Sequence, residues 1–157
     1  MPFRRASGFT LVESLVVLSV LGILFTIALP AFLHYNGGLA LRRSTERVLG
    51  ELRRARQIAA SEHNDVVVTF DAGSGTMQIH DDDNNDGVIS GTEQVRHVTI
   101  IEGTAFSDLA IAPSDSLVFT LLGTLRDRNG GGFLVIQGSE GDADTLHVSA
   151  VGHISRS

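Results

Sequence analysis

Residues 11–33 read LVESLVVLSVLGILFTIALPAFL, and this stretch decides the architecture. As a helix it extends roughly 35 Å at 1.5 Å per residue, enough for a hydrocarbon core of about 30 Å. It is apolar on every face, which excludes an amphipathic helix lying on a surface. Arg4 and Arg5 precede it with no acidic residue beside them, so the charge bias keeps the N-terminus cytoplasmic and sends the remainder outward. A cleaved secretory signal shares the basic start and apolar middle. Here, however, the apolar run is longer than a signal core, and no small-x-small site with a polar mature start follows it.

A signal anchor accounts for the span but not for Glu13, the single charge between Phe9 and Leu33. A carboxylate inside a span costs about 2.5–3.5 kcal/mol on insertion scales. Its helical neighbours at spacings of three and four are Phe9, Thr10, Val16 and Val17, none of them basic. The counter-charge must therefore come from elsewhere. A cut just before the span would create an α-amino group at nearly the right depth, and the amine of a neighbouring copy could then neutralise Glu13. Ala6, Ser7 and Gly8, followed by Phe9, permit such a cut.

Gly8-Phe9-Thr10-Leu11-Val12-Glu13, with a basic leader before it and an apolar helix after it, resembles the signature of type IV prepilins and type II secretion pseudopilins. The resemblance implies cleavage between Gly8 and Phe9 by a membrane prepilin peptidase and methylation of the new Phe9 amine. It also implies that Glu13, fifth in the mature chain, is the assembly carboxylate. Pro30 sits where pilin helices often carry a proline. By removing a backbone donor it would kink the helix as it leaves the lipid.

Charge divides the rest of the chain. Residues 39–61 hold six Arg against Glu46 and Glu51, and residues 62–157 hold four Arg against fifteen Asp and Glu. Tyr35-Asn36-Gly37-Gly38 would loosen the helix. Helical spacing resumes with Val48, Leu49, Leu52, Ala55, Ile58 and Ala59, which mark one buried stripe. The arginines fall largely on the other faces. There they serve as a solvated surface or as contacts to anionic lipid and acidic neighbours, with DNA the least favoured partner of an acidic chain.

After Asn64 the period becomes alternating. Strands are predicted over residues 66–70, 76–80, 94–100, 117–120, 132–136 and 145–149, with Gly- and Asp-rich turns at 71–75, 127–132 and 138–144. The expected organisation is a leader at 1–8, a transmembrane helix at 9–33, an amphipathic stem at 34–62 and an extracytoplasmic head at 63–157. The fold class is α+β and pilin-like, a long N-terminal helix packed by its stripe on an antiparallel sheet.

Ala55-Arg56 with Ala59-Ala60-Ser61-Glu62 resembles the helix end of the GspH/FimT group of pseudopilins. So does the closing pattern Phe119…Gly123-Thr124-Leu125…Phe133…Val148…Val151-Gly152-His153. The resemblance implies a minor pseudopilin of a type II secretion pseudopilus, inserted in the bacterial inner membrane with its head periplasmic. Its partners would be other pilins, prepilin peptidase and membrane lipid. A type IV pilus minor pilin shares every N-terminal feature, and a membrane-anchored binding head is the reading from a different class. Some members of the group bind DNA through a Gly-Arg-x-Arg turn. This chain has Gly152-His153-Ile154-Ser155-Arg156 instead, which argues against DNA as a partner.

Residues 82–93, DDNNDGVISGTE, fit the calcium-loop pattern D-x-[DN]-x-[DN]-G-x₅-E at every defined position. Asp82, Asn84 and Asp86 would give side-chain oxygens, Val88 its carbonyl, Ser90 a water and Glu93 a bidentate carboxylate. Strand-like flanks replace the helices of an EF-hand, and the same residues also build a tight turn without metal. No cofactor is otherwise required, and Ca²⁺ is the one ion the pattern suits. There is no Cys, no H-x-x-x-H pair among the six His, and no G-x-S-x-G, P-loop or dinucleotide motif, so the residues point to a structural protein and not an enzyme.

Overall fold

The computed structural model describes residues 9–84, 86, 89–91, 93–111, 116–126 and 131–157. Among the described residues one helix, α1, spans Leu11–Glu62, and eight strands follow. They are β1 (Asp65–Asp71), β2 (Thr76–Asp82), β3 (Val95–Thr99), β4 (Thr104–Ala110), β5 (Ser116–Phe119), β6 (Gly132–Gly138), β7 (Ala143–Val148) and β8 (Ile154–Arg156). Residues 35–38 are helical, so the paired glycines do not open the helix. Pro30 likewise lies inside α1.

The chain forms two compact units that meet between Asn36 and Gly37. In the first, Thr10 caps α1: its Oγ1 accepts from the Glu13 backbone N–H at 3.2 Å. Ser19 Oγ donates to the Leu15 carbonyl at 2.8 Å and Thr26 Oγ1 to the Ile23 carbonyl at 2.7 Å, so these hydroxyls are satisfied by their own helix. The large apolar side chains from Phe9 to Tyr35 are exposed, Leu11 to 80% and Ile27 to 71%. A row of this length demands lipid or other helices around it.

In the second unit the strands divide into two four-stranded antiparallel sheets, β3-β2-β1-β5 and β4-β6-β7-β8. The sequence pattern predicts a single sheet and misses β4 and β8. In β4 a bulge between Phe106 and Asp108 shifts the register against β6, which breaks any alternation along this strand. β8 is three residues long, too short to show a period. The predicted turn at 138–144 also ends early, because Ala143 and Asp144 already belong to β7.

Leu41, Val48, Leu49, Leu52, Ala55 and Ala59 of α1 are buried, with Ile58 packed at the edge. They share one core with Val66, Val68, Met77, Leu117 and Phe119 from one sheet and with Leu134, Ile136, Leu146 and Val148 from the other. Phe70 meets Phe106 edge to face at 5.6 Å, joining the two sheets. Two polar residues on the buried stripe, Ser44 and Thr45, are fully enclosed. Ser44 Oγ lies 2.8 Å from Thr104 Oγ1 and accepts from the Ile101 N–H, while Thr45 Oγ1 donates to Asp144 Oδ2 at 2.9 Å. These bonds fix the helix against the second sheet while leaving no hydroxyl stranded.

α1 is closed by the residue after it, His63, which adopts a left-handed φ of 62° while its N–H returns to the Ala59 carbonyl at 3.1 Å. That closing turn aims the chain into β1.

Candidate functional site

The N-terminal elements come first in the chain. Gly8 lies outside the described residues. Phe9 is 71% exposed immediately before the helix, and Glu13 is the third helical residue, also exposed. A carboxylate in the first turn complements the unpaired N–H groups and dipole of that end.

The C-terminal turn is built around Arg56, a residue whose role sequence reasoning missed. Gly123 and Gly152, far apart in the chain, both adopt positive φ, 69° and 75°. Arg56 Nε donates to the Gly123 carbonyl at 2.9 Å, and its Nη2 reaches the Val151 carbonyl at 3.5 Å. The Leu125 N–H donates to the Ala150 carbonyl at 3.0 Å, tying the same two turns together. Ala55-Arg56, Gly123-Thr124-Leu125 and Val151-Gly152 therefore converge on one junction. Arg156, at the end of β8, is committed to Asp144 Oδ2 at 2.8 Å and to Glu46 at 3.6 Å. On the helix itself, Arg42, Arg43, Arg47, Arg53 and Arg54 are exposed.

The acidic loop between β2 and β3 gathers several of the predicted ligands. One side-chain oxygen each from Asp82, Asp86 and Glu93 lie within 4.8 Å of one another. The Asp86 N–H is shared by Asn84 Oδ1 at 2.9 Å and Asp82 Oδ1 at 3.1 Å, folding the loop back on itself. Glu93 Oε2 accepts from the Ser90 N–H at 2.7 Å and lies 2.8 Å from His80 Nε2. The Ser90 N–H, followed by His80, holds the Glu93 carboxyl below its ordinary range. Ser90 thus contributes its backbone here, and Val88 lies outside the described residues. The His80–Glu93 pair escaped the sequence reading, since nothing in the linear pattern says that residues 13 apart meet across a hairpin.

Next to this loop, Asp81 is pushed up to about 6, chiefly by burial and then by the Glu62 and Asp83 carboxylates. It lines a cavity of about 230 Å³ between α1 and the first sheet, together with Glu51, Glu62 and Arg96. Glu51 accepts from Arg96 at 2.7 Å across the same gap. A shallower hollow of about 400 Å³ is lined by Phe133, His147 and His153. Both histidines are exposed.

A capped, apolar N-terminal helix with a carboxylate in its first turn, followed by a helix-backed pair of antiparallel sheets, defines a pilin-like subunit. Residues 3–29 match the prokaryotic N-terminal methylation motif and residues 44–152 match the type II transport protein GspH. The chain belongs to the GspH family. Two curated relatives, each a fimbrial protein of Pseudomonas aeruginosa, are 31% identical over 102 residues, 55% of this chain and 66% of theirs. The chain thus spans just under two thirds of the length of those relatives.

Among solved structures, the minor pseudopilin EpsH of the Vibrio cholerae type 2 secretion system superposes with a TM-score of 0.57 at 13% identity. That match covers 74% of this chain and 95% of EpsH. The Pseudomonas aeruginosa type IV minor pilin FimU superposes with a TM-score of 0.59 at 19% identity, covering 78% of this chain and 92% of FimU. Both share the fold expected from the sequence. The family is structural, and its N-terminal motif and apolar helix fit a membrane-anchored protein.

Proposed function

We propose that the chain is a minor pseudopilin, a structural subunit of a type II secretion pseudopilus. Before assembly it sits in the inner membrane by its N-terminal helix, N-terminus cytoplasmic and head periplasmic. Prepilin peptidase cuts between Gly8 and Phe9 and methylates the new amine, and Glu13 then receives the amine of a neighbouring subunit as the helix packs into the filament. The observation that carries this reading is the match of residues 44–152 to GspH, together with the methylation motif over residues 3–29. The exposed apolar row from Phe9 to Tyr35 supports it, because helix–helix packing in a filament covers such a row.

A second reading, a type IV pilus minor pilin, is favoured by the fimbrial protein relatives and by the likeness to FimU. Deleting the chain from its source cell separates the two. The secretion reading expects exported type II substrates to accumulate in the periplasm while surface pili stay normal. Loss of surface pili with secretion intact would overturn it in favour of the pilus.

A further inference from the structure

We propose that the loop between β2 and β3 binds one Ca²⁺ ion through the side-chain oxygens of Asp82, Asn84, Asp86 and Glu93. This does not depend on which filament the chain serves.

Three observations converge on it. The spacing of these residues satisfies every defined position of the oxygen-ligand loop, with strands in place of the flanking helices. Oxygens of Asp82, Asp86 and Glu93 lie within 4.8 Å of one another. Calcium–oxygen distances run about 2.3–2.6 Å, so ligands on opposite sides of one ion stand about 5 Å apart, and 4.8 Å fits a single coordination sphere.

The third observation concerns the surroundings of one of these carboxylates. The Glu93 side chain is only 1% exposed. Its Oε2 is used by His80 and the Ser90 N–H, but its Oε1 is buried with no hydrogen-bond partner among the described residues. A buried carboxylate oxygen without a donor is costly. A cation seated against Asp82 and Asp86 supplies what that oxygen lacks.

The donor set is all oxygen, since the nearby imidazole of His80 is already engaged by Glu93. Hard carboxylate and amide oxygens suit Ca²⁺. Mg²⁺ demands a tighter octahedron and keeps several of its waters.

The test is calorimetric titration of the EDTA-treated, dialysed full chain in detergent micelles with CaCl₂, then with MgCl₂. One saturable site is expected, with a dissociation constant of about 10⁻⁴–10⁻³ M, the range of extracellular modules, and Mg²⁺ weaker by about tenfold or more. Asp86→Asn stands outside the His80–Glu93 pair and Glu93→Gln within it. Each should weaken Ca²⁺ binding about tenfold or more by removing a charged ligand, with the circular dichroism spectrum unchanged. Asp83→Asn removes a neighbouring charge outside the ligand pattern and should leave the affinity within about threefold, because an exposed charge contributes little. Absence of saturable heat up to about 10 mM Ca²⁺, well above the weakest expected constant, would overturn the proposal. Equal weakening by Asp83→Asn and Asp86→Asn would do the same, since it would reduce the effect to diffuse negative charge.

Discussion

Glu13→Ala should leave the chain in the membrane fraction and remove it from sheared filaments. Burying an isolated carboxylate in a span costs about 2.5–3.5 kcal/mol, so the alanine variant inserts at least as well as the wild type. Incorporation moves the other way. Within its own helix Glu13 has only Phe9, Thr10, Val16 and Val17 at contact spacing, so no basic side chain of that helix neutralises the charge. If the amine of the next subunit does so, losing the carboxylate forfeits an attraction of about that size. At 1.4 kcal/mol per decade, incorporation falls about a hundredfold. Immunoblots of sheared and membrane fractions read this directly. Glu13→Gln, which keeps the shape and removes the charge, should behave like the alanine. Normal filament levels of either variant would remove Glu13 from the assembly step.

The second large effect is expected at the junction around Arg56. Gly152→Ala adds a Cβ at φ 75° that overlaps the Gly123 carbonyl oxygen and stands 3.0 Å from Arg56 Nε. The left-handed conformation costs an L side chain roughly 1–2 kcal/mol. The overlap cannot be relieved by a rotamer change, because its target is backbone. Moving the Gly123 carbonyl breaks its charge-assisted bond from Arg56, a further loss of about 1.5–3 kcal/mol. Together these give roughly 3–5 kcal/mol, a large share of the stability of an ordinary domain. Gly141→Ala is the control. That glycine also has positive φ, 87°, but open space around it, so only the conformational cost of roughly 1–2 kcal/mol applies. Urea unfolding of the three proteins in the same detergent gives the comparison. Equal losses for both variants would show that the contact with Gly123 contributes nothing.

Much of this molecule was legible in one dimension because its signals are periodic or local. An unbroken apolar run, a lone glutamate inside it and a 3, 4, 7 stripe each need only their neighbours to be read. The six predicted strands are short apolar or β-branched runs bounded by turn residues, and all six exist. β4 was hidden by its bulge and β8 by its length, which left two sheets looking like one. Gly37 and Gly38 mislead in the other direction: their helix penalty is real but small beside the capped, continuous helix around them.

The candidate sites divide along the same line. The processing residues and the acidic loop are contiguous in sequence, so their spacing exposes them. Ser44 and Thr45 interrupt the apolar stripe, and only the positions of Thr104 and Asp144 explain them. His80 with Glu93, and Arg56 with Gly123, are meetings produced by the fold, and no local pattern announces a partner 67 residues away. The closing motif of scattered glycines was visible as a resemblance, but its physical content, two left-handed turns clasped by one arginine, needed three dimensions.

The central claim, that this chain is processed and assembled as a pilin-like subunit, rests most heavily on its first residues. Its most direct test is the intact mass and N-terminal sequence of the protein extracted from membranes of its source cell. A chain that begins at Phe9 and carries a methyl group on its α-amine is expected. A chain that still begins at Met1, in cells shown to process other prepilins, would contradict it and leave an ordinary membrane anchor.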